Sequence, residues 1–330
     1  MKIILLKICF IAACMSCTIN QSAIAQEGEY FPLKSDSLHQ SRLHTSIAIG
    51  TTAYSAGSLA LYEAWYKNHS TDRFHFHDDR TNWLYMDKAG HLFTAYFQTC
   101  WAYQTAKWTG LSEKTSVTSA LFCGGVFQTT LELMDGFSEG WGFSAADMGA
   151  NLAGLGLFYA QQKWWKEQKI KIKLSYLPAR YPSGTIPDIS GKHTTSLQAR
   201  ATSLFGAHWS ERLLKDYNQQ HYWISFHPEL VTGRIVFWPQ WLHIGIGYSA
   251  ENLYGAQKNQ WTENNVTYSL HEERYPRIGQ FYISPDIDLS KLKIRHQTIR
   301  TICRIFNIFK LPLPAIGLDT KGQLTFHLFK

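Results

Sequence analysis

The stretch "MDKAGHLFTAYF", residues 86–97, opens an apolar segment of helical character with an acid, a base and a histidine. Asp87 and His91 are four residues apart, so on a helix they share a face, and Lys88 lies beside them. An unpaired charge in an apolar interior is strongly disfavoured. These three side chains therefore need partners from the segments on either side.

Four uncharged runs of helical character surround or include this stretch, and polar or glycine-bearing links separate them. They lie at 45–62, 92–106, 115–131 and 148–162. Each has 15 to 18 residues, at or just under the length of a bilayer span. Small residues at Ala146, Ala150 and Gly154 are spaced to let helix backbones approach closely. We predict a four-helix domain over 40–175 that either lies on or in a membrane or is soluble.

The periodicity changes after 176–192, "YLPARYPSGTIPDISGK", which we interpret as a linker because its prolines and glycines break helices. Four short aromatic or β-branched runs follow, and they are typical of strands: "HYWISF", "WLHIGIGYSA", "QFYISPDIDL" and "QLTFHLF". The basic stretch 291–310 is the exception, since its apolar residues recur three or four apart. We interpret it as an amphipathic helix that lies on anionic lipid or packs on the sheet. The predicted fold class is α+β, with a four-helix bundle-like domain followed by a β-rich domain at 193–330.

The N-terminal 25 residues have the features of an export signal, with Lys2 before an apolar stretch and "AIA" before Gln26. An alternative is that "IAAC" is a lipobox, which would give a lipid-anchored protein that begins at Cys14. The formal net charge of +7 is modest, so nucleic-acid binding is not expected of an exported protein with this composition.

Polar side chains cluster at one end of the predicted bundle. The second run opens with Asp87, Lys88 and His91, the third ends with Glu132 and Asp135, and the fourth begins with Ser144, Asp147 and Asn151. In an up-and-down bundle these positions lie at the same end. Ser144 is expected to cap the fourth helix, with Asp147 in its first turn. We expect one shared network in which Lys88 or protonated His91 faces the carboxylates and Asn151 bridges them.

These elements together resemble a known family. The pattern D-K-x-x-H, then E-x-x-D, then S-x-x-D-x-x-x-N-x-x-G, over about residues 60–165, is similar to that of the YfiM-like predicted periplasmic lipoproteins (domain of unknown function 2279). More distantly, it is similar to the VanZ-like membrane proteins, whose membrane spans are longer and less polar than the runs here. The resemblance implies a protein of the cell envelope, in the periplasm or outer membrane of a Gram-negative bacterium, with no established chemistry.

Two functions are compatible with these residues. The first is a membrane-associated binding or scaffolding component whose partner is membrane lipid or an envelope component. The second is an enzyme for lipid-linked or cell-wall substrates with Asp87, His91 and Glu132 at its centre. We expect no metal, because Lys88 adjoins the site and no H-E-x-x-H or E-x-x-H pair is present, and we expect no cofactor. The segment "HFHDD", 75–79, has metal-ligand types but is interpreted as a solvated link.

Overall fold

The computed structural model describes residues 34–62, 66, 73–233 and 237–330. The predicted export signal and Cys14 lie outside the described residues. The chain divides into two compact units, each built from separate stretches of sequence. The first comprises Met1–Arg80, His91–Gln168 and Ile294–Ile305, and the second comprises Thr81–Gly90, Lys169–Lys293 and Phe306–Lys330.

Four long helices form over the four predicted runs, which confirms the helical part of the fold. They are α1 (Gln40–Leu61), α2 (Met86–Thr109), α3 (Glu113–Gly136) and α4 (Ala145–Trp164). The small residues allow close approach as predicted: a Cβ added to Gly154 of α4 would lie 2.6 Å from the Leu92 carbonyl oxygen of α2. In the part of the chain that the structure describes, no helix has both the length and the apolar character needed to cross a bilayer.

The buried stripe of α3 is made of small and polar residues rather than large apolar ones. The stripe contains Ser116, Ala120, Gly124, Gln128, Glu132 and Gly136. Its opposite side exposes Phe122, Val126 and Leu133. A surface helix of a globular protein usually has the reverse arrangement. This helix is therefore held against its neighbours by close backbone approach and by polar contacts more than by large apolar side chains of its own.

The second unit is rich in strands, and its main sheet is antiparallel with the order β1-β4-β5-β8-β9-β10. The strands of this sheet are β1 (Ile170–Tyr176), β4 (Gln220–Phe226), β5 (Leu242–Glu251), β8 (Ile278–Ile287), β9 (Ala315–Asp319) and β10 (Leu324–His327). Two small hairpins pair β2 (Thr185–Pro187) with β3 (Thr194–Ser196) and β6 (Gln260–Glu263) with β7 (Val266–Ser269). The four predicted strand runs correspond to β4, β5, β8 and β10, so the α+β class is confirmed.

Helices in the C-terminal half differ from the prediction in number and length. Three short ones were not expected from the sequence: α5 (Leu197–Phe205), α6 (Trp209–Lys215) and α7 (Glu229–Thr232). The basic stretch forms α8 (Gln297–Phe306), shorter than the predicted 291–310. It ends early because the next residues pair with a strand: Leu174 N donates to Ile308 O, and Lys310 N donates to Leu174 O.

The main sheet places its apolar side chains in two adjacent rows, which we call the apolar face. The first row is Ile172, Ile224, Ile246, Ile283, Ile316 and Phe326, and the second is Leu174, Tyr222, Tyr248, Phe281, Leu318 and Leu324. Except on β1, most of these residues are exposed. An antiparallel sheet with one face in water normally buries the apolar face instead.

The opposite face of the sheet is buried, and it carries ionised groups. Lys173 and Asp286 are both fully buried, with Nζ and Oδ2 2.7 Å apart, and Ser225 Oγ donates to the same Oδ2 at 2.5 Å. Lys171 forms an ion pair with the buried Asp288. We call these residues, with His243, the buried charge cluster.

The titration of this cluster follows from burial and pairing. Burial lowers the pKa of His243 to about 4, so its ring is neutral at pH 7. Burial alone would raise the pKa of Asp288, but Lys171 and His243 hold it well below its ordinary value. Each buried carboxylate therefore has a cation beside it, as a low-polarity interior requires.

Breaking one ion pair should destabilise the fold more than removing both partners. We expect Lys173→Met to lower the free energy of unfolding by about 3 to 5 kcal/mol, because Asp286 loses its buried counter-charge. The double variant Lys173→Met/Asp286→Leu should recover much of this loss. Lys321→Met, at an exposed lysine, is the control and should change stability by less than about 0.5 kcal/mol. Urea unfolding measures all three, and equal losses in the single and double variants would contradict the pairing.

Candidate functional site

Three helices bring three of the predicted polar residues close to a fourth, His91. The imidazole ring of His91 comes from α2, Glu132 comes from α3, and Asp147 and Asn151 come from α4. Nδ1 of His91 lies 3.2 Å from Asn151 Oδ1 and 3.6 Å from Glu132 Oε1. Nε2 lies 3.7 Å from Asp147 Oδ1. The two carboxyl groups thus approach different nitrogens of the imidazole ring.

Ser144 connects the end of α3 to the start of α4 within this site. Its backbone N–H donates to Glu132 Oε2 at 3.3 Å. Its hydroxyl accepts from Asp147 N at 3.0 Å, which is the expected helix cap, and donates to Asp79 Oδ1 at 2.5 Å. One serine therefore joins three carboxylate residues, and we call His91, Glu132, Ser144, Asp147 and Asn151 the polar network.

Glu132 is the most strongly perturbed group of the network. Its side chain is 1% exposed, and burial raises its pKa to about 8, with Asp147 and Asp135 acting in the same direction. His91 and the N–H of Ser144 oppose this rise. Within the described residues, Oε1 of Glu132 and Nδ2 of Asn151 have no hydrogen-bond partner. Glu132 is thus mostly protonated at pH 7, and the network carries less negative charge than its carboxylates suggest.

The other three predicted residues have contacts of their own. Asp135 accepts a hydrogen bond from Tyr66 at 2.6 Å, and burial together with this carboxylate raises the pKa of Tyr66. Lys88 lies 3.0 Å from Asp87, which accepts from Tyr217 at 2.7 Å. Asp87, Lys88 and Tyr217 all belong to the second unit.

Asp79 and Tyr66 also contact predicted residues of this region, although the sequence did not indicate them. Asp79 lies in "HFHDD", which we interpreted as a solvated link, yet its side chain is buried against Ser144. The interpretation was wrong for this residue because the segment is not a loose link. Its backbone pairs with distant residues: His75 N donates to Gly136 O, and Phe143 N donates to His75 O. The aromatic residues between the polar ones were the available signal.

Phe76 of this segment and the neighbouring Phe74 form an exposed cluster with Phe137 and Phe143, and we call these four residues the aromatic patch. Their rings meet mostly edge to face, with centroids 5.3 to 5.6 Å apart. A Cβ at Gly136 would lie 2.4 Å from the Phe74 ring, so this packing needs glycine. Phe76 remains 72% exposed. Exposed apolar clusters held rigidly in this way mark interaction sites.

The raised pKa of Glu132 predicts a pH dependence of stability. Its folded pKa of about 8 lies above the ordinary value of 4.5, so the folded state binds more protons in between and loses stability as pH rises through this window. Relative to Glu132→Gln, which does not titrate there, wild type should lose on the order of 3 kcal/mol between pH 5 and pH 8. Thermal unfolding at both pH values tests this, with Glu139→Gln as an exposed control. Parallel profiles for wild type and Glu132→Gln would contradict the assignment.

Comparison with known proteins supports an envelope location. Residues 52–163, about a third of the chain, match the model of a family described as "Predicted periplasmic lipoprotein (DUF2279)". The match includes α2, α3, all but the last residue of α4, the last ten residues of α1 and the whole polar network. No curated protein and no solved structure matches the chain. The predicted resemblance is confirmed: residues 52–163 match the model of this family of predicted periplasmic lipoproteins.

Proposed function

We propose that this envelope protein is a membrane-associated binding or scaffolding component, in which the polar network fixes the helices and the aromatic patch makes contact with the partner. The partner is membrane lipid or another component of the envelope. The family description of a periplasmic lipoprotein supports the location. The burial of the polar network is the observation that supports the role.

The side chains of the network that could act as a general acid or base are largely buried, so a substrate cannot reach most of them. Glu132 and Asn151 are 1% exposed, whereas the His91 side chain is 19% exposed. A general acid or base must come within hydrogen-bond reach of the substrate. Groups buried this deeply are better suited to holding three helices in register, because a buried polar side chain without its partners is costly.

The aromatic patch is tied to this network along the chain. Phe143 directly precedes Ser144, and Phe137 follows the helix that carries Glu132. The hydrogen bond from Ser144 to Asp79 fixes the segment that contains Phe74 and Phe76. A rigid aromatic surface loses little conformational freedom on binding, so it suits a contact surface. The polar network that holds the helices therefore also holds the aromatic patch in place.

Removing a ring of the patch should reduce binding without unfolding the protein. We expect Phe76→Ser to lower the fraction of protein that co-sediments with purified envelope fragments by about threefold to tenfold, the effect of losing one aromatic anchor. Phe122→Ser is the matched control, since Phe122 on α3 is 69% exposed and lies outside the patch. Circular dichroism confirms that both variants fold. Equal co-sedimentation of the two variants would contradict the role of the patch.

The enzyme hypothesis remains a second candidate because His91 is partly exposed and has a carboxylate 3.7 Å from Nε2. His91→Ala separates the two. A structural histidine should cost about 1 to 3 kcal/mol of stability when removed, because Glu132 and Asn151 lose a partner. A catalytic histidine should instead leave stability unchanged while abolishing complementation of a deletion strain. Urea unfolding and complementation of the same variant decide between them, and we expect the first result.

A further inference from the structure

The apolar face of the main sheet exposes a large and uniform surface. Eight of its side chains are 46 to 75% exposed: Ile224, Ile246, Phe281, Ile283, Ile316, Leu318, Leu324 and Phe326. They extend over strands β4, β5, β8, β9 and β10, which at about 4.8 Å per strand spacing is roughly 19 Å. A continuous apolar surface of this kind is unusual on a protein surrounded by water.

The inner side of the main sheet is already filled by other buried side chains, among them Trp223, Tyr282 and Ala315. The buried charge cluster lies on the same side. A Cβ at Gly247 would lie 2.6 Å from the Trp223 ring, and Lys310 Nζ lies 4.3 Å from the centre of that ring. The unit covers Tyr222 and Tyr248, which pack against a buried cluster that includes Met86 and Leu253, but its described residues leave eight side chains of the face exposed.

The chemistry of the face favours lipid over a protein partner. None of the residues in the two rows is charged. Their hydroxyls are used internally: Tyr222 donates to Gln220 Oε1 and Tyr248 donates to Leu84 O, both at 2.7 Å. Protein interfaces normally include polar side chains and a polar rim. Acyl chains offer no hydrogen-bond partners, so a surface in contact with them must satisfy its own polar groups.

Backbone pairing at the edge next to this face fits the same environment. The outer side of β1 is covered where Leu174 N donates to Ile308 O and Lys310 N donates to Leu174 O, both at 2.9 Å. Beyond β9 and β10 the pairing of these two strands continues, since Lys330 N donates to Leu313 O at 3.1 Å. Strand edges with unpaired backbone groups are costly in hydrocarbon.

We propose that the apolar face of the main sheet contacts the acyl chains of a bilayer. This inference rests on the membrane association in the proposed function and names the surface that provides it. It assigns that contact to the second unit, separately from the aromatic patch of the first. The partner is the hydrocarbon of the lipid, so neutral lipid should bind as well as anionic lipid.

Vesicle flotation with face variants tests this. The full chain, with Cys14→Ser so that no acyl group on that residue contributes, is mixed with phosphatidylcholine vesicles and with vesicles that contain phosphatidylglycerol. We expect it to float with both. Ile283→Glu/Ile316→Glu should lower the floated fraction by about tenfold or more, because each apolar contact with lipid is lost. The matched control Ile283→Leu/Ile316→Leu should float like the parent.

The outcomes separate this inference from the proposed function. Circular dichroism and thermal unfolding of the glutamate variant should match the parent, since both positions are about half exposed. The inference is overturned if the glutamate variant floats as well as the parent, or if the parent does not float. If the parent does not float but is a dimer, and the glutamate variant is a monomer, the apolar face binds a second copy of the chain instead. Loss of flotation in Phe76→Ser alone assigns the contact to the aromatic patch and leaves the proposed function standing.

Discussion

Lys173 and Asp286 lie side by side where water cannot reach either of them. Such charges are tolerated in a protein interior when each has its counter-ion and hydrogen-bond partners. Once these residues face inward, the alternation of side chains along each strand directs their neighbours outward. The exposed rows of isoleucine, phenylalanine and leucine are thus a consequence of the paired charges on the other side of the same strands.

The first unit obeys the same constraint by different means. Its helix α3 buries small and polar side chains, and His91, Glu132, Ser144 and Asn151 make polar contacts between the helices. Ser144 is the clearest example, because its hydroxyl and N–H both serve carboxylates from other segments. In both units, therefore, polar contacts are buried while large apolar side chains remain exposed on α3 and on the apolar face, an arrangement that suits attachment to a membrane.

The sequence was sufficient for the helices and for much of the polar network. Long uncharged runs identify helices directly, and one end of the bundle collects the polar residues by topology alone. The partners of Asp135 and Asp79 were not predictable, because Tyr66 and Ser144 reach them through tertiary packing. Nor was the inverted sheet: "IKIKLS" reveals that lysines and apolar residues occupy opposite faces, but a period of two does not say which face is buried. That choice depended on acids more than a hundred residues away.

Lys171 meets Asp288 across 117 residues of sequence. Closing a loop of such length costs chain entropy, so the newly made chain lacks this contact before it folds. Until then the lysines and aspartates of these strands stay hydrated and accompany the apolar residues between them. Charges of this kind counter the tendency of unpaired strands to aggregate. The groups that define the finished sheet therefore also help to keep the newly made chain soluble before it folds.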